Sequence, residues 1–409
     1  MKIAFLVPSF PALSETFILN QIIGLLDRGY EVDIFAKFNP GEKKTHPDIE
    51  KYNIMKRVYY IKVPGRTKRL KDVLYFILTN FYKNPMPILK SVNILKYGRK
   101  ALNLSLLYTV IPFLKKEYDI IHCHFGPIGL FGAFLKEIGI KSRLVTTFHG
   151  FDVNSFPSQE GSEVYNDLFS RGDIFTANTY FTKQRLMWLG CDQSKIEILP
   201  VGLRISKFKF FPRGISKEGS IKILTVGRLV EKKGHKYAIN AIANIISKYK
   251  NIKYIIAGDG PLRRDLEFQV ESLGVSNYVE FLGAVDEDEV LKLYQQAHIF
   301  ILPSVTASDG DMEGQALVLQ EAQASGLPVI STFHNGIPEG VLDGKSGFLV
   351  PEKDVDALAD RLEYLIEHPE LWTEMGRYGR KFVEERYNIK KLNQQLVEIY
   401  QNLIKGKYE

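Results

Sequence analysis

The stretch HIFILPSVTASDGDMEGQALVLQEAQASGLPVIST (298–332) has an apolar run at each end and a helical pattern between them. The two runs, HIFILPS (298–304) and LPVIST (327–332), are apolar along nearly their whole length, which is typical of strands covered on both faces. Buried strands that alternate with helices belong to parallel sheets. The stretch therefore predicts one strand–helix–strand unit of an α/β fold.

The same alternation continues outward over most of the chain, in two series. In the first half the strand candidates are 2–8, 31–37, 119–125, 143–149, 173–179 and 195–200. In the second half they are 220–227, 252–258, 278–283, 298–304, 327–332 and 347–351. We therefore predict two doubly wound, Rossmann-like domains. Ligands bind outside the carboxyl ends of parallel strands, so the site should lie in the cleft between the domains.

Chain length agrees with two domains, because 409 residues exceed what one ordinary core organises. The stretch 204–220 is polar, basic and contains Pro and Gly, which is typical of a boundary. We predict a first domain over 1–205, a second over 206–385, and a C-terminal segment over 386–409.

Composition excludes several classes of protein. There are only two cysteines, Cys123 and Cys191, so no disulfide framework exists and a reducing compartment fits best. The longest apolar stretch, 101–114, is too short to span a bilayer and contains Pro112. Pro8 interrupts the apolar N-terminus, which favours a first strand over a signal peptide. We expect a cytoplasmic protein.

The net charge of +7 is concentrated in one segment. Residues 66–116 contain eleven Lys or Arg and one acid, Asp72, so this segment carries +10 and the rest about −3. The charges alternate with aromatic and aliphatic residues. Two interpretations stay open: solvated helix faces, or a face for an anionic membrane, where each cation contributes about 1 kcal/mol. The second would make the protein peripheral on the inner face of the plasma membrane.

Two glutamates, Glu313 and Glu321, lie eight residues apart in the helical pattern between the runs 298–304 and 327–332. If the helix begins at Glu313, eight residues rise about 12 Å, so the carboxylates cannot share a proton or a small metal ion. They could hold the two ends of an extended ligand rich in hydroxyls. The amides of Gly314, Gln315 and Ala316 could then meet phosphate oxygens. The alternative for Glu313 is a residue that only complements the helix dipole.

Two loops follow strands of the second series. Gly227 ends a strand, and Arg228 and Lys233 follow it, where two cations can neutralise a diphosphate without a metal. In AGDGPLR, Gly258 and Gly260 would let a ligand approach the backbone. An ordinary basic loop and a plain turn remain equally good alternatives.

Three further patterns carry weaker signals. FHGFD (148–152) follows a strand of the first series, and its His and Asp could contact a sugar. Asp309-Gly310-Asp311 has the form of a metal-binding pair, but the nearby cations already supply the countercharge, so we expect no metal. His122-Cys123-His124 lacks further ligands nearby in sequence and is interpreted as structural.

Together, VGRLVEKKG (226–234), GDGP (258–261), HGFD (149–152) and the E-x7-E pair resemble the family 4 retaining glycosyltransferases of GT-B fold. The resemblance covers nearly the whole chain. It implies that a nucleotide diphosphate sugar is the co-substrate, that no further cofactor is needed, and that the C-terminal helix crosses back onto the first domain.

The resemblance also assigns roles to residues. Glu313 would contact the donor sugar, Arg228 and Lys233 would stabilise the leaving diphosphate, and His149 would lie against the sugar. Glu321 would bind the ribose. The implied donor-binding residues are Gly227, Gly258, Gly260, Gly314, Gln315, Ala316, Leu317 and Glu321.

This chain departs from many family members at two places. PSFPALSETF (8–17) lacks their glycine pair, and EGQA (313–316) replaces EGFG. In these features it resembles a bacterial subgroup that builds exopolysaccharides such as colanic acid. We expect Ser14, which would cap the first helix, together with Glu15 and Asp152 on the acceptor side.

The resulting hypothesis is retaining transfer of a hexose, favouring a UDP-sugar, to a carbohydrate or lipid-linked oligosaccharide. One alternative is a GT-B-fold nucleotide-sugar epimerase or phosphorylase. A weaker one is a basic nucleic-acid-binding protein, which would leave Glu321, Arg228 and Lys233 without a role; we expect no nucleic acid partner.

Overall fold

The computed structural model describes residues 1–12, 15–41, 46–82, 85–214 and 219–408. The strands of the first sheet are β1 (Lys2–Ser9), β2 (Glu31–Phe38), β3 (Val58–Tyr60), β4 (Ile120–His124), β5 (Arg143–Phe148), β6 (Ile174–Ala177) and β7 (Ile196–Ile198). They are parallel and lie in the order β3-β2-β1-β4-β5-β6-β7. The helices of this half are α1 (Thr16–Leu26), α2 (Asp48–Lys51), α3 (Arg66–Asn80), α4 (Pro85–Ser91), α5 (Ile94–Tyr97), α6 (Arg99–Leu102), α7 (Ser105–Lys115), α8 (Gly126–Ile138), α9 (Ser155–Glu160), α10 (Asn166–Arg171) and α11 (Tyr180–Trp188).

The strands of the second sheet are β8 (Ile221–Val226), β9 (Ile252–Ala257), β10 (Val279–Gly283), β11 (Ile299–Leu302), β12 (Val329–Thr332) and β13 (Gly347–Val350). They are also parallel, in the order β10-β9-β8-β11-β12-β13. The helices of this half are α12 (His235–Ile245), α13 (Arg263–Ser272), α14 (Glu287–Gln296), α15 (Leu317–Ala324), α16 (Val355–Glu367), α17 (Leu371–Arg386) and α18 (Ile389–Ile404).

The predicted α/β fold with two parallel sheets is confirmed, and each of the twelve predicted runs overlaps one strand. The sequence missed β3, since its three residues Val58–Tyr60 are too few for a recognisable apolar run. It pairs with β2 at the edge of the first sheet, where Val58 lies beside Ile34. No helix among the described residues is long and apolar enough to cross a membrane.

Each sheet has one place where its strand order reverses, and these places position the site. In the first sheet β1 lies between β2 and β4, and in the second sheet β8 lies between β9 and β11. A crevice forms outside the carboxyl ends of the strands at such a point. The loops after β1, β4, β8 and β11 therefore border the candidate site.

The last helix completes the core of the first sheet. Ile3 and Phe5 of β1 pack in one apolar cluster with Leu396 and Tyr400 of α18, while Leu6 of the same strand packs on the opposite face. The Tyr400 hydroxyl lies 2.5 Å from Nδ1 of buried His122. The expected return of the C-terminal helix to the first domain is thereby confirmed.

The predicted boundary segment, 204–220, contacts the helices of the second half through Arg213. Its buried guanidinium donates to the carbonyl oxygens of Tyr294, Gln295, Ala297 and Ser325, at the C-terminal ends of α14 and α15. Carbonyl groups at a helix C-terminus lack partners within the helix, so a cation there satisfies them. The predicted limits of the domains themselves stay a prediction.

Candidate active site

The loop between β11 and α15 carries most of the predicted donor residues, and its shape corrects one expectation. Helix α15 begins at Leu317 and not at Glu313. The preceding Ala316 has φ +53° and ψ 63°, the left-handed conformation, which an α-helix does not contain. The amides of Gly314 and Gln315 therefore lie before the helix, and the 12 Å helical spacing does not apply.

Ala316 has a backbone conformation that is unfavourable for any residue with a side chain. A residue with a Cβ in the left-handed region costs roughly 1–2 kcal/mol, a cost that glycine avoids. Ala316 is the last residue of EGQA (313–316), where many family members have the final glycine of EGFG. In this chain an alanine therefore adopts a conformation that favours glycine.

Glu313 is buried, with 7% of its surface exposed. Its Oε1 lies 3.0 Å from Nζ of Lys233 and 3.8 Å from Nζ of Lys232. Burial alone would raise the pKa of Glu313, but the two lysines, Lys233 first, bring the pKa below its ordinary value. The side chain is therefore an ionised acceptor suited to the hydroxyl groups of a sugar.

Two residues that no sequence pattern singled out hold Glu313 in place, one at its carboxylate and one at its backbone. Lys232 lies 3.0 Å from the Asp311 carboxylate, and its only sequence signal is its place beside Lys233. His334 accepts from the Glu313 backbone N–H at 3.1 Å, while its Nδ1 lies 2.6 Å from Glu352. No local pattern around His334 indicated this contact.

The two carboxylates of the Asp309-Gly310-Asp311 segment both contact other groups of the protein. The Asp311 carboxylate pairs with Lys232, and the Asp309 carboxylate accepts from the Asp311 backbone N–H at 2.9 Å. No group of three metal-ligating side chains occurs in the part of the chain that the structure describes. A donor set that already contacts a cation suits a metal ion poorly, and the expected metal independence stays a prediction.

The loop after β8 carries the two predicted cations. The Lys233 side chain runs beside Gly227, since a Cβ added at that glycine would lie 3.5 Å from the lysine Cε, an ordinary van der Waals distance. Arg228 is exposed, and no ion pair of its guanidinium occurs among the described residues. Both follow the carboxyl end of the strand next to the reversal point.

Gly258 and Gly260 are required by neighbouring backbone. A Cβ at Gly258 would lie 1.9 Å from the Gly227 carbonyl oxygen, and one at Gly260 would lie 2.6 Å from that of Leu229. Because these two glycines have no side chain, the loops after β8 and β9 can pack together. This packing alone requires glycine at both positions, and the expected approach of a ligand to Gly258 and Gly260 stays a prediction.

Across the cleft, the loop after β5 meets the loop after β11. A Cβ at Gly314 would lie 2.1 Å from the His149 carbonyl oxygen, so only glycine permits this approach. The His149 ring contacts the rings of Phe17 and Phe125, with centroid distances of 4.8 and 4.7 Å, and its Nε2 is 3.1 Å from Nδ1 of His124. Burial lowers the pKa of His149 to about 3, so the imidazole is neutral near pH 7.

Asp152 does not face the acceptor side, which corrects that expectation. It is fully buried, and its carboxylate accepts from the backbone N–H groups of His149, Gly150 and Gly126 at 2.9–3.0 Å. Burial raises the pKa of Asp152, against these hydrogen bonds. Asp152 therefore holds the His149 loop in shape.

Glu321 opens onto a cavity of about 220 Å³ between the two halves of the chain. Its Oε2 accepts from the Tyr294 hydroxyl at 2.8 Å, and burial raises the pKa of Glu321. Leu317, one turn earlier on α15, lines the same cavity, as does Phe17 of α1. The cavity brings these predicted donor residues beside the first domain.

The remaining predicted residues are Gln315, Glu15 and Ser14. The Gln315 side chain bonds both the N–H and the carbonyl of Val201 at 2.7 and 2.8 Å, so it joins the two halves and does not point to a ligand. Glu15 directly precedes α1, which begins at Thr16 without a side-chain cap. Ser14, the predicted cap and acceptor-side residue, lies outside the described residues.

Comparison with known proteins assigns the chain to a family. Residues 14–207 match the family described as Glycosyltransferase Family 4, and residues 206–382 match Glycosyl transferases group 1. The chain is similar to the putative colanic acid biosynthesis glycosyltransferase WcaL of Escherichia coli K12, with 35% identity over 98% of this chain and 100% of that protein. It is 33% identical to the amylovoran biosynthesis glycosyltransferase AmsK of Erwinia amylovora, over 98% of this chain and 100% of the relative.

A solved structure shares the architecture. The crystal structure of Anabaena HepE in complex with UDP and glucose superposes with a TM-score of 0.75, at 20% identity, over 98% of this chain and 100% of that one. The two reversal points and the loops between them are therefore features of a shared fold. The chain belongs to the family 4 glycosyltransferases and has their GT-B fold.

Proposed function

We propose that this glycosyltransferase moves a hexose from a nucleotide diphosphate sugar, preferably a UDP-sugar, to a carbohydrate or lipid-linked oligosaccharide acceptor in exopolysaccharide synthesis, with retention at the anomeric carbon. The observation that carries the proposal is the pairing of Lys233 with buried, ionised Glu313 at 3.0 Å; exposed Arg228 lies on the same loop after β8. The names of the colanic acid and amylovoran relatives support the polymer class. HepE, which binds UDP and glucose, supports the choice of base.

In the proposed reaction the bond between the anomeric carbon and the diphosphate oxygen breaks, and a bond to the acceptor oxygen forms on the same face. Lys233 and Arg228 stabilise the charge that develops on the leaving diphosphate, a preorganised electrostatic contribution. The leaving phosphate oxygen takes the acceptor's proton. Glu313 and neutral His149 hold the sugar through its hydroxyl groups, and no step requires a metal ion.

The first test is a melting-temperature series with UDP, GDP and ADP on the wild-type protein and on Glu321→Ala. A ligand that binds only the folded state raises its stability, so the preferred nucleotide identifies itself. We expect a shift with UDP that the Glu321→Ala variant loses. A shift with GDP or ADP alone would overturn the choice of base, and no shift with any nucleotide would contradict the donor site.

Product analysis separates the proposal from its alternatives. Proton NMR of the product should give the same anomeric configuration as the donor. Conversion of the donor sugar without any acceptor would instead indicate an epimerase. A phosphorylase would bind pyridoxal phosphate, which is visible by its absorbance.

We also propose that the first domain contacts an anionic membrane through α3. Leu70, Leu74 and Leu78 follow one another at intervals of four on one side of this helix and are 48%, 49% and 82% exposed. Eleven of the twenty-five exposed large apolar side chains in the described part of the chain lie within 66–116, a segment of only 51 of the 409 residues. Its net charge of +10 complements anionic lipid.

Liposome co-sedimentation tests this contact. Vesicles containing phosphatidylglycerol should retain the wild-type protein at low salt and release it as salt rises. Leu74→Ser/Leu78→Ser should bind much less, whereas Phe268→Ser, which removes a 71% exposed side chain from the second domain, should bind normally. Absence of binding even at low salt would contradict the proposal.

A further inference from the structure

Three histidines form a row from the core of the first sheet to the cleft. His122 and His124 are alternate residues of β4, so their side chains lie on the same face of the sheet, and their ring centroids are 4.6 Å apart. His149 directly follows the neighbouring strand β5, and its ring stacks on that of His124 at 5.4 Å. His122 and His124 are fully buried, whereas His149 is partly exposed. The row therefore ends at a residue of the candidate active site.

The two buried histidines differ in their hydrogen bonds. His122 uses both ring nitrogens, with Nδ1 2.5 Å from the Tyr400 hydroxyl and Nε2 2.6 Å from Oγ1 of Thr147. His124 uses only one. Its Nδ1 lies 3.1 Å from Nε2 of His149, and its Nε2 has no hydrogen-bond partner among the residues that the structure describes.

The unpartnered nitrogen decides which of the two rings donates. Burial lowers the pKa of both His124 and His149, so each ring is neutral near pH 7 and carries one N–H and one bare nitrogen. A proton on Nε2 of His124 would be a buried N–H without an acceptor, a group that is rare in native proteins and less well tolerated than an unpaired acceptor. The proton of His124 therefore belongs on Nδ1, where it points to Nε2 of His149.

We infer that His124 is a positioning residue, which donates its Nδ1–H to Nε2 of His149 and thereby holds His149 in the tautomer with the proton on Nδ1. The hydrogen bond at one ring nitrogen sets the protonation of the other. Nδ1 of His149 is then the nitrogen left for a ligand, and it can only donate. The effect on catalysis rests on the proposed function, in which His149 donates to an oxygen of the donor sugar and ionised Glu313 accepts from its hydroxyl groups.

NMR of the protein labelled with nitrogen-15 in its histidines reads the tautomer without any ligand. The correlations between ring protons and ring nitrogens differ between the two neutral tautomers. The chain has eight histidines, and the signals that are absent from His149→Gln identify those of His149. In the wild-type protein at pH 7 we expect a protonated Nδ1 and a bare Nε2. A protonated Nε2 would overturn the inference, and this measurement requires no change at the buried position.

Two substitutions of His124 separate the donated proton from packing. His124→Phe keeps a ring beside Phe5 but has no N–H, whereas His124→Asn is smaller and its amide can still donate. We expect His124→Phe to move His149 toward the tautomer with the proton on Nε2. Its kcat/KM for release of UDP from UDP-glucose or UDP-galactose, whichever the wild-type protein hydrolyses faster, should fall about tenfold. His124→Asn should melt at a lower temperature than wild type but keep the His149 tautomer, with kcat/KM within about threefold of wild type.

His122→Phe is the matched control. It removes a second buried imidazole from β4 and should lower the melting temperature, because Tyr400 and Thr147 lose a partner, but the His149 tautomer and kcat/KM should stay as in wild type. Losses of kcat/KM that follow the melting temperatures of the three variants would show an effect of packing alone and overturn the inference. If UDP is released but His149 has the same tautomer in every variant, the inference is wrong while the proposed function stands. If the wild-type protein hydrolyses neither sugar nucleotide, the proposed donor fails, and the NMR result still decides the tautomer.

Discussion

Nζ of Lys233 lies 3.0 Å from Oε1 of Glu313, which joins the loop after β8 to the loop after β11 across the reversal point of the second sheet. The pair holds the proposed leaving-group cation beside the proposed sugar-binding carboxylate. Because Lys232 also lies 3.8 Å from the same carboxylate, Glu313 stays ionised although it is buried.

Replacing Lys233 by Ala should lower kcat about 100-fold to 1000-fold, the size of effect seen when one preorganised donor to a developing negative charge is removed. Lys232, which lies 3.8 Å from the same carboxylate, should keep the Glu313 side chain in position in this variant. Steady-state kinetics on purified protein measure the change, with Lys236→Ala, an exposed lysine of α12, as the control. Near-normal turnover of Lys233→Ala would contradict the assigned role.

Removal of divalent metal should leave activity unchanged within about twofold. The Asp311 carboxylate pairs with Lys232 at 3.0 Å, and under the proposed function Lys233 and Arg228 supply the positive charge that a diphosphate needs. Initial rates after exhaustive dialysis against EDTA, compared with rates after adding back Mg²⁺ or Mn²⁺, decide the point. A loss that either metal restores would show that the charge is supplied differently.

Replacing Glu321 by Gln should separate binding from stability. Burial raises the pKa of Glu321 in the folded protein above its pKa in the unfolded chain. The contribution of this side chain to stability is therefore fully present below the unfolded pKa and is lost as pH rises through the folded pKa. The variant should melt at an equal or higher temperature near pH 8, and this difference should vanish toward pH 4.

The same Glu321→Gln variant should bind the nucleotide about tenfold or more weakly, because a hydrogen bond to a charged group is replaced by a neutral one. Gln can still accept from the Tyr294 hydroxyl. Melting curves with and without UDP over this pH range measure both effects. Glu271→Gln, at an exposed position of α13, should change neither; a clearly lower melting temperature of the Glu321 variant at pH 8 would contradict the argument.

Replacing Ala316 by Gly should stabilise the protein by up to about 1 kcal/mol. The left-handed conformation at φ +53° strains alanine but not glycine, and the gain is reduced by the greater freedom of glycine in the unfolded chain. Denaturation by urea measures the change. Ala243→Gly within α12 should have the opposite sign, at a cost of about 1 kcal/mol, and destabilisation by both substitutions would refute the strain argument.

Replacing Arg213 by Met should destabilise the protein by about 3 kcal/mol or more, since its guanidinium bonds four buried carbonyl oxygens that would lose their partner. Burial lowers the pKa of Arg213 to about 10, still far above neutral pH, so the group is charged in the folded protein. Thermal unfolding checks the loss against Arg264→Met, an exposed arginine of α13. A similar melting temperature for both variants would show that the contacts contribute little.

Local patterns predicted the strands well and the helix start poorly. The twelve apolar runs each formed a strand because burial on both faces requires apolar side chains within a few consecutive residues. The start of α15 moved from Glu313 to Leu317 because contacts with distant residues shape the preceding loop. Gln315 is clamped by Val201, and Gly314 lies against His149.

Apolar periodicity within short segments was enough to predict the fold class, the cleft at the strand ends and the loops that border it. Packing between different segments was needed to show that Lys232 and His334 contact Glu313, that Asp152 holds a loop, and that Gly258 packs against backbone. These contacts join residues that are far apart in the chain or on different loops. Their distances follow from how strands and helices pack, which no local pattern specifies.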